Sequence, residues 1–352
     1  MRGRIAFSLF GVLAIGGLAL LWSFGCDDKP TEPGPGGTKD YWAYFYNLQH
    51  DTGNWYFAYR PATNELDSFF LACRHRPVVS ADGDKIFVRD PAEDATAIVD
   101  LQSYTVVGHL PYRMPLAASP DNCFIAVDSN ALLIVRLADT SVLFRDAALL
   151  WGGVFSASSQ RLYGWSADGW LRVFDLTSAP PHSEAKSFRH GLVRGVVPSP
   201  DELQWYLYLA TTTQARYLFA VYDVATDSIV FLDSLFPGGG EIEVSPDGHY
   251  VFYTNPSSML YGGGDAWVHV YDAATNQEGD SISTQGVLEP PFELGVPVAE
   301  ICITPDGRWL VATHYDGWPY IVAADLRQMT IVKHRILGWP SSVQGLDCQN
   351  GK

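Results

Sequence analysis

The chain has 352 residues, 47% hydrophobic and 13% aromatic, enough apolar material for one large all-β domain or two ordinary ones and too much for a disordered polypeptide. Its formal charge is −16. A field of that sign repels phosphate backbones and anionic headgroups, so nucleic acid is not an expected partner.

The amino end carries Arg2 and Arg4, then an unbroken apolar and small-residue stretch from Ile5 to Trp22, then Ser23-Phe24-Gly25 before Cys26. A basic start, an apolar run and small residues form an export pattern, which places a signal over residues 1–25. The Gly25-Cys26 junction resembles the bacterial lipobox, although Ser23 stands where that motif usually has an aliphatic residue. The resemblance implies lipidation at Cys26. An uncleaved anchor and simple secretion are the alternatives, since about 18 apolar residues lie at the lower edge of what spans a bilayer. All three place the body outside the cytoplasm, with membrane contact only through the N-terminal lipid or signal anchor. Residues 26–40 follow as a flexible tether, with three prolines, three glycines and no apolar periodicity.

From residue 41 onward one phrase recurs. "RPVVSADGDKIFVRD" puts its serine at Ser80, and equivalent phrases centre on Ser119, Ser156, Ser199, Ser245 and Thr304, at intervals of 39, 37, 43, 46 and 59 residues. A second phrase follows each, ending a strand on Asp100, Arg136, Asp175, Asp223, Asp272 and Asp325. Each unit reads as strand a, a Ser-Pro-Asp-Gly turn, strand b, a loop, strand c, an Asp-led turn and strand d. Pro, Asp and Gly suit successive turn positions, and the Asp side chain can accept hydrogen bonds from amides just beyond it. Four short strands per unit of about 40 to 45 residues is the arithmetic of a β-propeller blade.

The ends of the chain set the count. Residues 40–70 supply strands b, c and d without a leading strand a, and "SSVQGLDCQNGK" at the carboxyl end supplies a degenerate one. The expected fold is therefore all-β, a seven-bladed propeller over 41–352 of four-stranded antiparallel blades, closed when the C-terminal strand completes the N-terminal blade. These units resemble the YVTN-type and tryptophan-aspartate-repeat-like (WD40-like) bacterial propellers. The Trp-Asp dipeptide and the TGKxxW pattern of quinone-dependent propeller dehydrogenases are both absent, so no cofactor is expected.

Length variation falls on the b-to-c and d-to-a connections: Asn47 to Gly53, Thr211 to Arg216, Pro256 to Asp265 and Ser283 to Val298. Variable loops on a rigid scaffold mark a binding face or a cover for the blades below. Aligning the repeats places Arg76, Glu241, Glu300 and Gln344 near the entry of strand a, with Arg113, Trp151, Arg194 and Trp339 beside them and His75 adjacent. Three guanidiniums, two carboxylates and two indoles at a channel mouth can grip a polar ligand or peptide loop, or pair among themselves across neighbouring blades.

No HExxH, GxSxG, Walker or EF-hand pattern occurs, so no catalytic residue and no metal site is assigned. His314 and Asp316 in "THYDG" could share one strand face as metal ligands or belong to a solvated loop. Cys73, Cys123, Cys302 and Cys348 allow two disulfides or buried free thiols. The expected function is an envelope binding module for a protein, peptide or glycan. The alternative is a propeller enzyme, lactonase-like or cofactor-dependent, with its active site at the mouth.

Overall fold

Each Ser-Pro-Asp-Gly phrase folds as the link between two antiparallel strands. Ser80 Oγ donates to Asp82 Oδ1 at 2.5 Å and accepts from the Lys85 amide at 2.9 Å, while the Asp84 amide donates to Asp82 at 3.0 Å. The same hydroxyl-to-carboxylate bond recurs at Ser119, Ser199, Ser245 and Thr304. The residue three beyond the serine is always left-handed, from Gly83 at φ 71° to Glu202 at φ 59°, which explains the preference for glycine. The Asp-led turns behave as expected: the Thr177 amide donates to Asp175 at 2.8 Å and the Thr226 amide to Asp223 at 2.7 Å. Where Arg136 replaces that aspartate, Asp139 takes over, accepting from the Ser141 amide at 3.0 Å.

The computed structural model describes residues 41–50, 53–211, 216–235, 240–254, 267–284, 298–314, 320–336 and 343–348. The expected signal over residues 1–25, the expected tether over 26–40 and Cys26 lie outside these residues. Among them no helix is long and apolar enough to cross a membrane.

Strands are numbered in chain order. Blade 1 holds β1 (Ala43–His50), β2 (Gly53–Arg60) and β3 (Glu65–Leu71), and blade 2 holds β4 (Arg74–Val79), β5 (Lys85–Asp90), β6 (Ala95–Asp100) and β7 (Thr105–Leu110). Blade 3 is β8 (Met114–Ala118), β9 (Phe124–Asp128), β10 (Leu132–Arg136) and β11 (Val142–Asp146); blade 4 is β12 (Leu150–Phe155), β13 (Arg161–Ser166), β14 (Leu171–Asp175) and β15 (His182–Lys186). Blade 5 is β16 (Leu192–Pro198), β17 (Gln204–Ala210), β18 (Tyr217–Asp223) and β19 (Ser228–Leu235). Blade 6 is β20 (Ile242–Val244), β21 (Tyr250–Thr254), β22 (Trp267–Asp272) and an outer strand broken into β23 (Gln277–Glu278) and β24 (Ile282–Ser283). Blade 7 is β25 (Val298–Ile303), β26 (Trp309–His314), β27 (Tyr320–Asp325) and β28 (Thr330–Ile336). The last strand, β29 (Val343–Cys348), pairs antiparallel with β1, Ala43 opposite Cys348 and Asn47 opposite Val343, and so becomes the inner strand of blade 1.

The inner strands touch in one unbroken cycle, β29 to β4, β8, β12, β16, β20, β25 and back to β29. The core follows the same cycle. Seven apolar clusters of described residues each lie between two adjacent blades, including one that seals blade 7 to blade 1 through Phe45, Phe57, Tyr59, Trp309 and Val311. Phe45 and Phe57 stack there with centroids 5.1 Å apart. Middle strands are covered on both faces, which is why Leu132, Leu133, Ile134 and Val135 are all buried in succession. Each such side chain contributes about 1.5–3 kcal/mol.

Outer strands end the blades with a shared defect. Pairing shifts by one residue along β7, β11, β19 and β28, leaving Val107, Leu143, Val230 and Val332 as extra residues. A bulge on an exposed edge twists it away from edge-to-edge pairing.

Between blades 4 and 5 the turn face carries a latch. Glu202 accepts from Arg161 Nη1 at 2.8 Å, Tyr163 Oη at 2.9 Å and Ser158 Oγ at 2.9 Å, and its side chain is only 13% exposed.

Cys73 and Cys123 are buried free thiols. Cys302 is disulfide-bonded. With two of the five cysteines free, the chain holds at most one internal bridge from the four considered in the body, not two.

Candidate binding site at the channel mouth

The inner strands carry bulges of their own near the ends away from the Ser-Pro-Asp-Gly turns. In β12, Leu150 pairs with Ser166 and Gly152 with Trp165, so Trp151 is an extra residue. In β16, Val193 pairs with Leu209 and Gly195 with Tyr208, so Arg194 is the extra residue at the equivalent place in the next blade. A bulge re-aims its side chain, and here two neighbouring bulges aim at one another. The Arg194 guanidinium lies 4.6 Å from the centre of the Trp151 ring. Gly152, next to the bulge, leaves room for Trp165 of β13, because a Cβ there would stand 2.2 Å from that indole.

The Trp151–Arg194 pair is only partly spent. Trp151 remains 60% exposed, and Arg194 Nη1 is buried with no hydrogen-bond partner among the described residues. Stacking over an indole stabilises the cation by about 0.5–2 kcal/mol, but it does not satisfy an N–H whose isolation costs about 1–3 kcal/mol.

Arg76 and Glu241 also meet. Arg76 Nη1 lies 3.1 Å from Glu241 Oε1, with side chains 45% and 28% exposed. Arg76 belongs to blade 2 and Glu241 precedes the inner strand of blade 6, so blades 1 and 7 separate them around the ring. The pair therefore spans the inner rim rather than joining neighbouring blades. Glu241 is anchored through its backbone: its amide donates to Thr254 Oγ1 and its carbonyl accepts from the Thr254 amide, each at 3.1 Å. An ion pair this exposed contributes about 0–1 kcal/mol, so it can open for a competing ligand at low cost.

Of the remaining predicted residues, Arg113 belongs to neither pair. Arg113 joins the loops of blades 2 and 3, donating through Nε to Asp94 Oδ2 at 2.9 Å and through Nη1 to Asn130 Oδ1 at 3.3 Å. Glu300 sits half-buried on β25. Gln344 pairs with Tyr46 along the β29 backbone, and Trp339 lies outside the described residues. His75 takes a left-handed φ of 83°; its ring lies 3.3 Å from Arg89 Nη1, and its carbonyl accepts from Tyr56 Oη at 3.2 Å.

His314 is fully buried on β26, which removes it from the solvated loop considered above, and Asp316 lies outside the described residues. Among the described residues no three His, Cys, Asp or Glu side chains are grouped as metal ligands. Three of the four variable connections lie wholly or mostly outside the described residues: 256–265, residues 212–215 of the Thr211 to Arg216 loop, and most of 283–298.

A further set of residues gives no motif. Lys186, Phe188, Arg189 and His190, in the run "KSFRHG", line a groove on the flank between blades 4 and 5. The only signal in the sequence is a local concentration of basic groups in an acidic chain.

No protein-family model and no curated protein matches this chain. Solved structures do. Kuenenia stuttgartiensis hydrazine synthase is 16% identical with a TM-score of 0.55, covering 71% of this chain and 76% of that one. The dihydro-heme d1 dehydrogenase NirN, solved in complex with DHE, is 14% identical with a TM-score of 0.56, covering 88% and 75%. A β-propeller domain from Myceliophteria thermophila is 12% identical with a TM-score of 0.57, covering 75% and 86%. At these identities the likeness shows the propeller fold alone, and one scaffold of this kind hosts many unrelated functions.

Proposed function

We propose that the protein is an extracytoplasmic, membrane-tethered propeller that binds a protein, peptide or glycan of the bacterial cell envelope at its channel mouth and loop-rich face. One observation carries the reading: the exposed Trp151 ring holds Arg194 with an N–H still lacking an acceptor, on inner strands fixed by a closed ring. Large aromatic and arginine side chains so placed are the usual anchors of recognition surfaces. The Arg76–Glu241 pair across the rim supplies a second, displaceable set of polar groups.

Affinity capture from envelope extract with the full chain, followed by mass identification, tests this. Trp151→Ala and Arg194→Ala are expected to reduce the retained species at least tenfold while shifting the melting temperature by no more than a few degrees, since neither residue belongs to an inter-blade cluster. Retention of the same species by both variants would remove the mouth as the site.

The tether rests on Arg2, Arg4, the Ile5 to Trp22 run and Cys26. Cys26→Ser is expected to abolish metabolic labelling with a lipid precursor and release the protein from membranes. Persistent attachment without label would indicate the uncleaved anchor instead.

A further inference from the structure

Away from the mouth, a groove of about 700 Å³ runs along the flank where blade 4 meets blade 5. One wall is the connection from β15 to β16, with Lys186, Phe188, Arg189 and His190; the other is formed by Tyr222, Asp227 and the first half of β19. The floor is rigid. Lys186 Nζ is clamped by both the Tyr222 hydroxyl and the Asp227 carboxylate, and it sits 4.2 Å from the Tyr222 ring centre. Phe188 packs edge-on against Tyr222 with centroids 5.4 Å apart, and a bridge from Phe188 to Gly191 pins the loop.

The charge of the groove runs against that of the whole chain. Eight arginines of the described residues, among them Arg60, Arg161 and Arg308, stand within 4.0 Å of a carboxylate. Arg189 does not. It is exposed, and its Nε donates to His190 Nε2 at 3.0 Å, which leaves both Nη groups without a partner among the described residues. In a protein of net charge −16, a guanidinium fork held by its neighbour and left open is placed for a carboxylate from outside. On the opposite wall Asp227 is paired with Lys186, and β19 beyond it is apolar: Val230 is 47% and Leu232 42% exposed. Val230 is the bulged residue of β19, so the edge itself is poorly suited to accept an added strand, and side chains must carry the contact.

We propose that this flank groove is a second binding site, which takes an extended acidic segment of a partner protein, a carboxylate seated on Arg189 and a neighbouring apolar side chain on Val230 and Leu232. Association is favoured by the cationic wall and oriented by the two-pronged guanidinium.

The test uses the full chain and a pool of fluorescent octapeptides in which Glu or Asp alternates with Val, Leu or Phe, read by anisotropy. The pool is expected to bind at least tenfold more tightly than its Gln and Asn counterpart. Arg189→Gln and Val230→Asp, both at exposed positions, should each weaken binding at least tenfold, while Trp151→Ala at the mouth should leave it unchanged. Hydrogen exchange should slow at 186–190 and 228–232 on binding. Absence of binding, equal binding of acidic and amide pools, or undiminished binding by Arg189→Gln would overturn the proposal. So would binding of inorganic phosphate or phosphatidylglycerol vesicles in preference to the peptides. Because the mouth variant is a control here, failure of this site leaves the mouth reading standing, and the reverse also holds.

Discussion

A chain that stops at Ser342 is expected to lose its cooperative fold, with a melting temperature at least 10 °C lower or no soluble monomer at all. Removing β29 takes the inner strand from blade 1, leaves the edge of β1 unpaired and breaks the cycle of inner strands at both β25 and β4. Blade 7 would also lose the strand that lies against its β25 and β26. The combined loss is on the order of the whole stability of a domain, roughly 5–15 kcal/mol. Circular dichroism melts and size-exclusion chromatography check this against a chain lacking only Gly351 and Lys352. Equal melting of the two would show that the ring does not depend on its last strand.

Glu202→Ala is expected to destabilise the protein by about 2–4 kcal/mol, the cost of leaving partly buried partners of a carboxylate unpaired. The residue combines two opposing effects. Its φ of 59° is a left-handed conformation that costs a non-glycine residue roughly 1 kcal/mol, and the same turn position is glycine at Gly83, Gly248 and Gly307. The latch to Ser158, Arg161 and Tyr163 more than offsets that strain. Glu202→Gly should therefore fall between wild type and Glu202→Ala, which separates the backbone effect from the latch.

The latch also sets a pH dependence. Burial pushes the Glu202 carboxyl up, but hydrogen bonds from Ser158, Tyr163 and Arg161 outweigh it and hold the group below its ordinary range. A carboxyl depressed in the folded state contributes stability above its unfolded pKa of about 4.3, and that contribution disappears as pH falls through the lower folded value. In urea titrations the gap between wild type and Glu202→Ala should be full at pH 7 and shrink below about pH 4. A gap independent of pH would assign the effect to the turn backbone.

The blades were legible because their determinants are local. A serine or threonine, an aspartate and a left-handed residue within five positions make most a-to-b turns, with Ser158 in place of the aspartate in blade 4, and one aspartate makes most c-to-d turns, so a short window of sequence suffices. The closure was legible from the missing and surplus strands at the two ends. The mouth was only half legible. Repeat alignment put Arg76 and Glu241 at equivalent strand entries, but their pairing joins residues 165 positions apart and depends on the diameter of the ring. Arg113 stands in a comparable sequence position yet is drawn away by Asp94, an aspartate in the b-to-c loop of blade 2 that the repeat phrases do not include. Trp151 and Arg194 owe their contact to two bulges that no turn residue announces. The flank groove was missed because Lys186 meets Tyr222 and Asp227 only through the packing of one blade on the next.

The seven-bladed ring is tested most directly by native-state hydrogen exchange of the peptide covering Val343–Cys348. If β29 is the inner strand of blade 1, its amides are protected to the same degree as those of β1 and open only with the whole ring. Exchange of that peptide at the rate of an unstructured terminus, while β1 remains protected, would contradict the closure.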